Sequence, residues 1–331
     1  MTASRKCDVL VVGGGFAGSL LARLMSRTGL QVVVVERDRH PRFALGESST
    51  PLANLALERI ALKHDLEDLY SLAAHGRWLR DMPGLNRGLK RGFTFYGHQP
   101  GSAVPLERLA VAASPDDFVA DCQWDRAALD HSFLERAREA GVEVLEEHEL
   151  CAIEFENGRN LVTATRLSAE KQPQSTLEIE ANFVVDASGA AGAVALRRGV
   201  SRLAEPAGFS TEVVFGHLQG LVPFEESEDF ECEVYPESFS AVHHMTPEGW
   251  MYQLRFDDDR TSVGFLSSRQ PRPDPGQGDR LAGDDLAALV ARYPALARQF
   301  QDLELRGSGV APVSYTHLTL PTTLCMCRSR G

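Results

Sequence analysis

No apolar run in this chain approaches the roughly 18 residues needed to cross a bilayer as a helix, so a membrane-spanning reading has nothing to rest on. Positive charge is also in deficit: 34 Lys and Arg stand against 46 Asp and Glu, for a formal net charge of −12. That disfavours nucleic acid as a partner, because phosphate binding needs a basic surface or stripe. Cysteine is sparse, with six in 331 residues, at Cys7, Cys122, Cys151, Cys232, Cys325 and Cys327. They show no CxxC and no paired His/Cys spacing, so neither a disulfide framework nor a metal site is expected. The first residues lack the charged start, apolar stretch and small-residue cleavage site of a secretory leader, and the expected location is the cytoplasm. What remains is the ordinary composition of a globular enzyme, 43% hydrophobic and 24% charged.

The end of the chain reads differently from the rest. Residues 313–322 are VSYTHLTLPT, and residues 327–330 are Cys-Arg-Ser-Arg. Both stretches fit, in order, the forward translation of a transposon-type sequencing adapter. Residues 313–331 are therefore expected to be a non-native tail, set aside for fold reasoning. The native sequence is expected to reach Ala311 or Pro312 and to continue beyond it.

Residues 8–12 (Asp-Val-Leu-Val-Val) form a short apolar run closed by three glycines, the pattern of a buried parallel strand. Leu20, Leu21, Leu24 and Met25 recur at helical spacing over residues 17–27, and residues 31–36 read as a second buried strand. Together they make a βαβ unit. Helical periodicity follows over residues 51–70, a strand over 91–96 and a helix over 126–140 closed by Gly141. Residues 143–145 start a strand. Residues 151–156 and 160–167 flank Asn157-Gly158, a favoured hairpin turn, and 177–180 would complete a three-stranded meander. A separate buried strand is expected over 183–186. From 209 to 267 several strand-like runs suggest an antiparallel sheet. Residues 270–278 are a Pro/Gly-rich loop, and residues 281–291 and 295–301 read as helical.

Gly13-x-Gly15-x-x-Gly18 sits between the first strand and its helix. The first glycine permits the tight turn, the second lets backbone approach a pyrophosphate, and the third lets helix and strand pack closely. Phosphate would sit at the helix N-terminus, on the free N–H groups of Phe16 and Ala17 and in the favourable dipole. Glu36 ends the second strand, where a carboxylate accepts the ribose hydroxyl protons, with Arg37 beside it. An acid there disfavours a 2′-phosphate, leaving FAD or NAD.

The order of the later segments resembles the glutathione-reductase-type FAD fold and, within it, the flavin-dependent halogenases (tryptophan-halogenase-like enzymes). Gly46-Glu47-Ser48 with Thr50-Pro51 is similar to that family's segment beside the flavin ring. Gln123-Trp-Asp-Arg126 with Asp130, and Asp186-Ala-Ser-Gly189, are similar to two further FAD-side segments. The fold class implied is α/β: a Rossmann-like FAD-binding fold with a β-meander, plus an antiparallel-sheet substrate region. Residues 1–80 and 105–200 would form a discontinuous FAD-binding domain, and 81–104 with 201–312 the substrate-binding region. Each segment has a plainer reading: a capped helix start at Thr50-Pro51, a surface arginine at Arg126, a helix cap at Asp186.

The resemblance further implies an oxidoreductase that uses reduced FAD supplied by a separate flavin reductase, O₂, and a halide as co-substrate, acting on a small-molecule or carrier-bound aromatic substrate. Lys90 matches the family's lysine, which hydrogen-bonds or captures the hypohalous acid; a lysine amine is a compact donor whose pKa falls on burial. A solvated lysine in a basic turn with Arg87 and Arg91 is the alternative. The substrate side of the flavin is expected at Trp250 and Tyr252, where the family's W-x-W-x-I-P is replaced by Trp-Met-Tyr-Gln-Leu-Arg. That departure leaves open a flavin monooxygenase or an FAD-linked reductase on the same fold. The family's late Gly-Asp segment, backbone halide site and lysine-partnering glutamate are expected beyond Pro312, so the chain is expected to be truncated, with its own activity left open.

Overall fold

A computed structural model describes residues 3–112, 114–156, 158–200, 210–227, 234–269 and 288–300. The expectations for residues 270–278 and 313–331, and most of that for 281–291, lie outside the described residues.

The N-terminal βαβ unit forms as read: β1 (Ala3–Val12), α1 (Phe16–Ser26) and β2 (Val32–Val35). All four valines of β2 are buried, as a strand covered on both faces must be. The next helical stretch is two helices, α2 (Pro51–His64) and α3 (Glu67–Leu72). Asp65 breaks it at φ 51°, a left-handed conformation that Asp tolerates better than most residues. A third helix, α4 (His75–Asp81), follows. Thr50 caps α2 by accepting from the Ala53 N–H at 3.3 Å, with Pro51 at its first position.

Three further strands precede the long helix: β3 (Arg87–Lys90), β4 (Gly92–Gly97) and β5 (Glu107–Ala112). Then come β6 (Asp121–Trp124) and α5 (Arg126–Glu139), whose first turn Asp125 caps through the Ala128 N–H. β7 (Glu143–Leu145) pairs parallel with β2, and the meander comprises β8 (His148–Glu156), β9 (Arg159–Leu167) and β10 (Pro173–Asp186).

Here the structure corrects the sequence reading. The last meander strand and the separate strand at 183–186 are one element. β10 pairs antiparallel with β9 along its first part and parallel with β1 from Leu177 to Asp186. Asn182 looks like a breaker in sequence, but its side-chain amide donates to the Asp8 carboxylate at 3.1 Å and keeps the strand in register. The first sheet has the order β7-β2-β1-β10-β9-β8.

After α6 (Ala193–Arg197) the chain adds β11 (Ser210–Gln219), α7 (Phe224–Ser227), β12 (Ala241–Thr246), β13 (Gly249–Arg255), β14 (Arg260–Arg269) and α8 (Pro294–Gln299). The second sheet has the order β11-β14-β13-β12-β4-β5. It is mixed, not purely antiparallel, because β12 runs parallel to β4. It also takes in β5, from a segment expected to lie with the FAD-binding half. β3 and β6 pair as a small two-stranded ribbon.

Candidate functional site

The glycine turn is held by steric necessity. Gly13 adopts φ 112°, and a Cβ on it would lie 2.3 Å from the Ala187 carbonyl oxygen. A Cβ on Gly18 would lie 2.0 Å from the Gly13 carbonyl. Gly15 differs: its Cβ would meet only the Arg42 guanidinium at 3.4 Å and the Asp130 carboxylate at 3.5 Å. Two glycines therefore close the turn, and the third opens it onto a cavity of about 860 Å³.

This cavity is where the sequence-derived residues meet. Gly13, Gly15, Phe16, Ala17, Glu36, Arg37, Arg126 and Gly189 all line it. Its opposite end reaches Phe215 and Gly216 of β11, where the Phe43 and Phe215 rings stack at 5.0 Å. The space thus runs from the N-terminus of α1 to the second sheet. Glu36 is buried and accepts from the Gly14 N–H at 2.6 Å, the Asp38 N–H at 2.9 Å and Arg42 at 3.3 Å. A carboxylate offers about four acceptor sites, so one remains for a ribose hydroxyl.

The fit to FAD rests on that geometry. α1 has no side-chain cap at Gly15, so its first N–H groups face the cavity, as an anion site requires. The buried Nε of Arg42 has no hydrogen-bond partner. The volume lies within the about 300–1,000 Å³ of cofactor-sized pockets. Arg42 was missed in sequence. The signal was a basic residue six positions past Glu36, which has no meaning until the loop folds back.

Of the remaining FAD-side residues, Arg126 and Gly189 line the cavity, whereas Gly46, Glu47, Ser48 and Asp186 act one step away from it. Arg126 forms a bidentate pair with Asp130 at 2.8 and 2.9 Å and donates to the Leu45 and Gly46 carbonyls. It is therefore more than a surface arginine, since it fastens the 46–50 loop. Asp186 accepts from the Val194 and Ala195 N–H groups and from Ser188. It caps α6, which is the plainer of its two readings, while Ser188 and Gly189 line the cavity. Glu47 is 2% exposed; it accepts from His217 Nε2 at 2.7 Å and from the Ser262 hydroxyl at 2.5 Å. The Ser48 hydroxyl is buried without a partner.

Lys90 is fully buried, which removes the solvated-turn alternative. Its Nζ donates to the Ser49 carbonyl, lies 3.8 Å from Asp121 Oδ2 and sits 4.2 Å from the centre of the Phe93 ring. Burial pushes the amine below its ordinary value, against the opposing pull of Asp121. Beyond Phe93 one face of the second sheet carries a run of rings. Phe95 and His243 are 4.9 Å apart, and His243 and Trp250 are 5.1 Å apart. Tyr252 pairs with His243 across the strands and shares this face. Its ring covers Gly264, whose Cβ would lie 2.2 Å from Tyr252 Cε1. Arg87 and Arg91 lie elsewhere, paired to Asp257 and Asp117. Among the described residues no cluster of His, Cys, Asp and Glu could hold a metal ion, and no helix is long and apolar enough to cross a membrane.

Comparison with known proteins places this geometry. Residues 8–321 match the FAD dependent oxidoreductase family. The chain is 24% identical over 306 residues to the monodechloroaminopyrrolnitrin halogenase PrnC of Pseudomonas fluorescens, covering 90% of the chain and 52% of that protein. It is 23% identical over 304 residues to the tetracycline 7-halogenase of Kitasatospora aureofaciens, covering 90% and 53%. The crystal structure of halogenase PltM superposes with a TM-score of 0.76 at 21% identity, over 94% of this chain and 60% of that one. The chain spans about half the length of these curated relatives.

Proposed function

The chain belongs to the FAD dependent oxidoreductase family, and on that premise we propose that the full-length protein is a halogenase using reduced FAD, O₂ and a halide on an electron-rich aromatic or carrier-bound substrate. The observation that carries the reading is the placement of Lys90: an amine held away from water between the 46–50 loop and an aromatic wall. The similarity to halogenases supports it.

When bound, reduced FAD supplies the electrons that activate O₂ toward the halide. The chain's own residues do the rest. Gly13, Gly15 and the N-terminus of α1 would hold the pyrophosphate, and Glu36 the ribose. Arg126 and Glu47 fix the 46–50 loop, which would flank the flavin ring. Lys90 offers a donor proton or a free amine to hypohalous acid and orients it toward the substrate. Burial favours this, since a dehydrated amine titrates nearer neutrality. Phe93, Phe95 and Trp250 give an aromatic substrate an apolar wall and exclude water from the oxidant. We place the enzyme in the cytoplasm, served by a separate flavin reductase.

The test is turnover of full-length protein with FAD, a flavin reductase and chloride or bromide, read by mass spectrometry on electron-rich phenols and pyrroles. Halide-dependent product is expected. Hydroxylated product without halide would favour the monooxygenase reading, which the Tyr252-Gln-Leu-Arg departure supports.

A further inference from the structure

We propose that Asp121 is the proton partner of Lys90, the two sharing one proton so that the lysine passes between ammonium and amine with no change in the net charge of its buried site. The proposal rests on the reading of Lys90 as the group that meets the oxidant. Asp121 is a positioning residue here, acting through Lys90.

The two residues face each other across the β3–β6 ribbon. Lys90 is 0% and Asp121 4% exposed. Asp121 Oδ1 is fixed by the Asn54 side-chain amide at 2.7 Å, whereas Oδ2 is buried with no hydrogen-bond partner. That free oxygen lies 3.8 Å from Lys90 Nζ, so a side-chain movement of about 1 Å closes a hydrogen bond. An ammonium has three protons to give; in the structure one goes to the Ser49 carbonyl and the Phe93 ring face receives the charge. A donor with capacity left therefore faces an acceptor that lacks a donor.

Charge explains why the arrangement is useful. A lone ion in a dry site is costly, but an ion pair and its neutral, proton-exchanged form both carry zero net charge. Among the described residues, the other titratable groups acting on Lys90 are Cys122 of β6 and His243 of β12. Both are uncharged at neutral pH, since burial drives the thiol up and the imidazole down to about 4. Arg87 and Asp257, which also act on Cys122, are paired to each other, so among the described residues Lys90 and Asp121 form the charge pair of this site. Burial moves both toward their neutral forms, the lysine downward and the aspartate upward.

Two measurements on the full-length protein test this. In Lys90→Met, Asp121 loses its cation. Infrared difference spectroscopy should then show a protonated-carboxyl band at neutral pH, absent from the Lys90→Met/Asp121→Asn double variant. This needs no turnover, so it reads the pair whether or not the protein halogenates. Second, Asp121→Asn keeps the shape and the contact with Asn54. It should retain FAD affinity but make the ratio of halogenated product to flavin oxidised newly pH-dependent, the limb displaced by about one pH unit or more; Asp121→Glu should restore the profile. No carboxyl band in Lys90→Met, or a wild-type profile in Asp121→Asn, overturns the proposal. The band without any halogenation leaves the pair standing and removes the halogenase reading instead.

Discussion

Glu47 receives the ring Nε2–H of His217 at 2.7 Å across 170 positions of sequence. The contact ties the loop beside the cavity to β11, and Ser262 on β14 occupies the other carboxylate oxygen. On its far side His217 Nδ1 lies 3.5 Å from Arg260, whose guanidinium also pairs with Asp125, the cap of α5. Glu47→Ala leaves one buried and one half-buried donor unpaired and should cost about 2–4 kcal/mol, measured by urea unfolding. Glu47→Gln, which keeps one acceptor, should cost less. A loss below about 1 kcal/mol for the alanine variant would show that the sheet holds the loop without this strut.

The glycine turn offers a contrast between two variants. Gly13→Ala puts a methyl 2.3 Å from the Ala187 carbonyl and should prevent the turn from forming, with loss of soluble folded protein. Gly15→Val points into open cavity, so the fold should survive with little change in Tm while FAD affinity falls. Flavin fluorescence quenching on titration reads the affinity. Wild-type FAD binding by Gly15→Val would refute the pyrophosphate assignment.

Lys90→Ala should keep FAD affinity and flavin reoxidation in the full-length protein and lose halogenated product. Lys90→Arg should fail as well, because a planar, permanently charged guanidinium cannot replace a small titratable amine. Mass spectrometry beside a stopped-flow record of flavin oxidation separates the two outcomes. An alanine variant that halogenates normally assigns Lys90 to structure alone.

Tyr252 should tolerate the loss of its hydroxyl and not the loss of the space beneath its ring. Its Oη is buried without a hydrogen-bond partner, so Tyr252→Phe should be neutral or stabilising by up to about 1 kcal/mol. Gly264→Ala would force the ring off the sheet and should cost about 1–3 kcal/mol, as overpacking does. Thermal unfolding of the two variants checks the sign of each.

Acid should weaken the fold before carboxylates titrate. Burial holds His98 and His243 down to about 4, and His244 also well below its ordinary value. A base with a depressed folded pKa contributes stability above its unfolded value, about 6.5, and that stability is lost as pH falls toward the folded pKa. Asp121 and Asp257, with raised values, act in the opposite sense. Denaturant unfolding should therefore show stability falling from neutral pH toward about 4.5, and His98→Phe should flatten the slope.

Local pattern carried the first half of the molecule. A strand, three glycines, a helix and an acid-terminated strand all lie within one short stretch, and each is dictated by residues next to it. The sequence pattern predicts two strands where β10 is one, because Ala181 and Asn182 separate residues 177–180 from the apolar run at 183–185. Only the parallel partner β1 and the Asn182–Asp8 contact make it continuous. Periodicity over 51–70 predicts a single helix because it persists through the left-handed residue that divides it, Asp65.

The amino-acid sequence by itself determined the dinucleotide turn, the helix cap at Thr50, and the alternation that puts Trp250 and Tyr252 on one face. Each depends on neighbours a few positions apart, whose geometry the backbone sets. Tertiary structure alone decided that Lys90 is dry, that Asp121 faces it, that Arg42 enters the cavity and that His217 holds Glu47. Those facts depend on pairing between distant strands, and on burial that changes the cost of charge. No residue type announces its desolvation before the chain has closed around it.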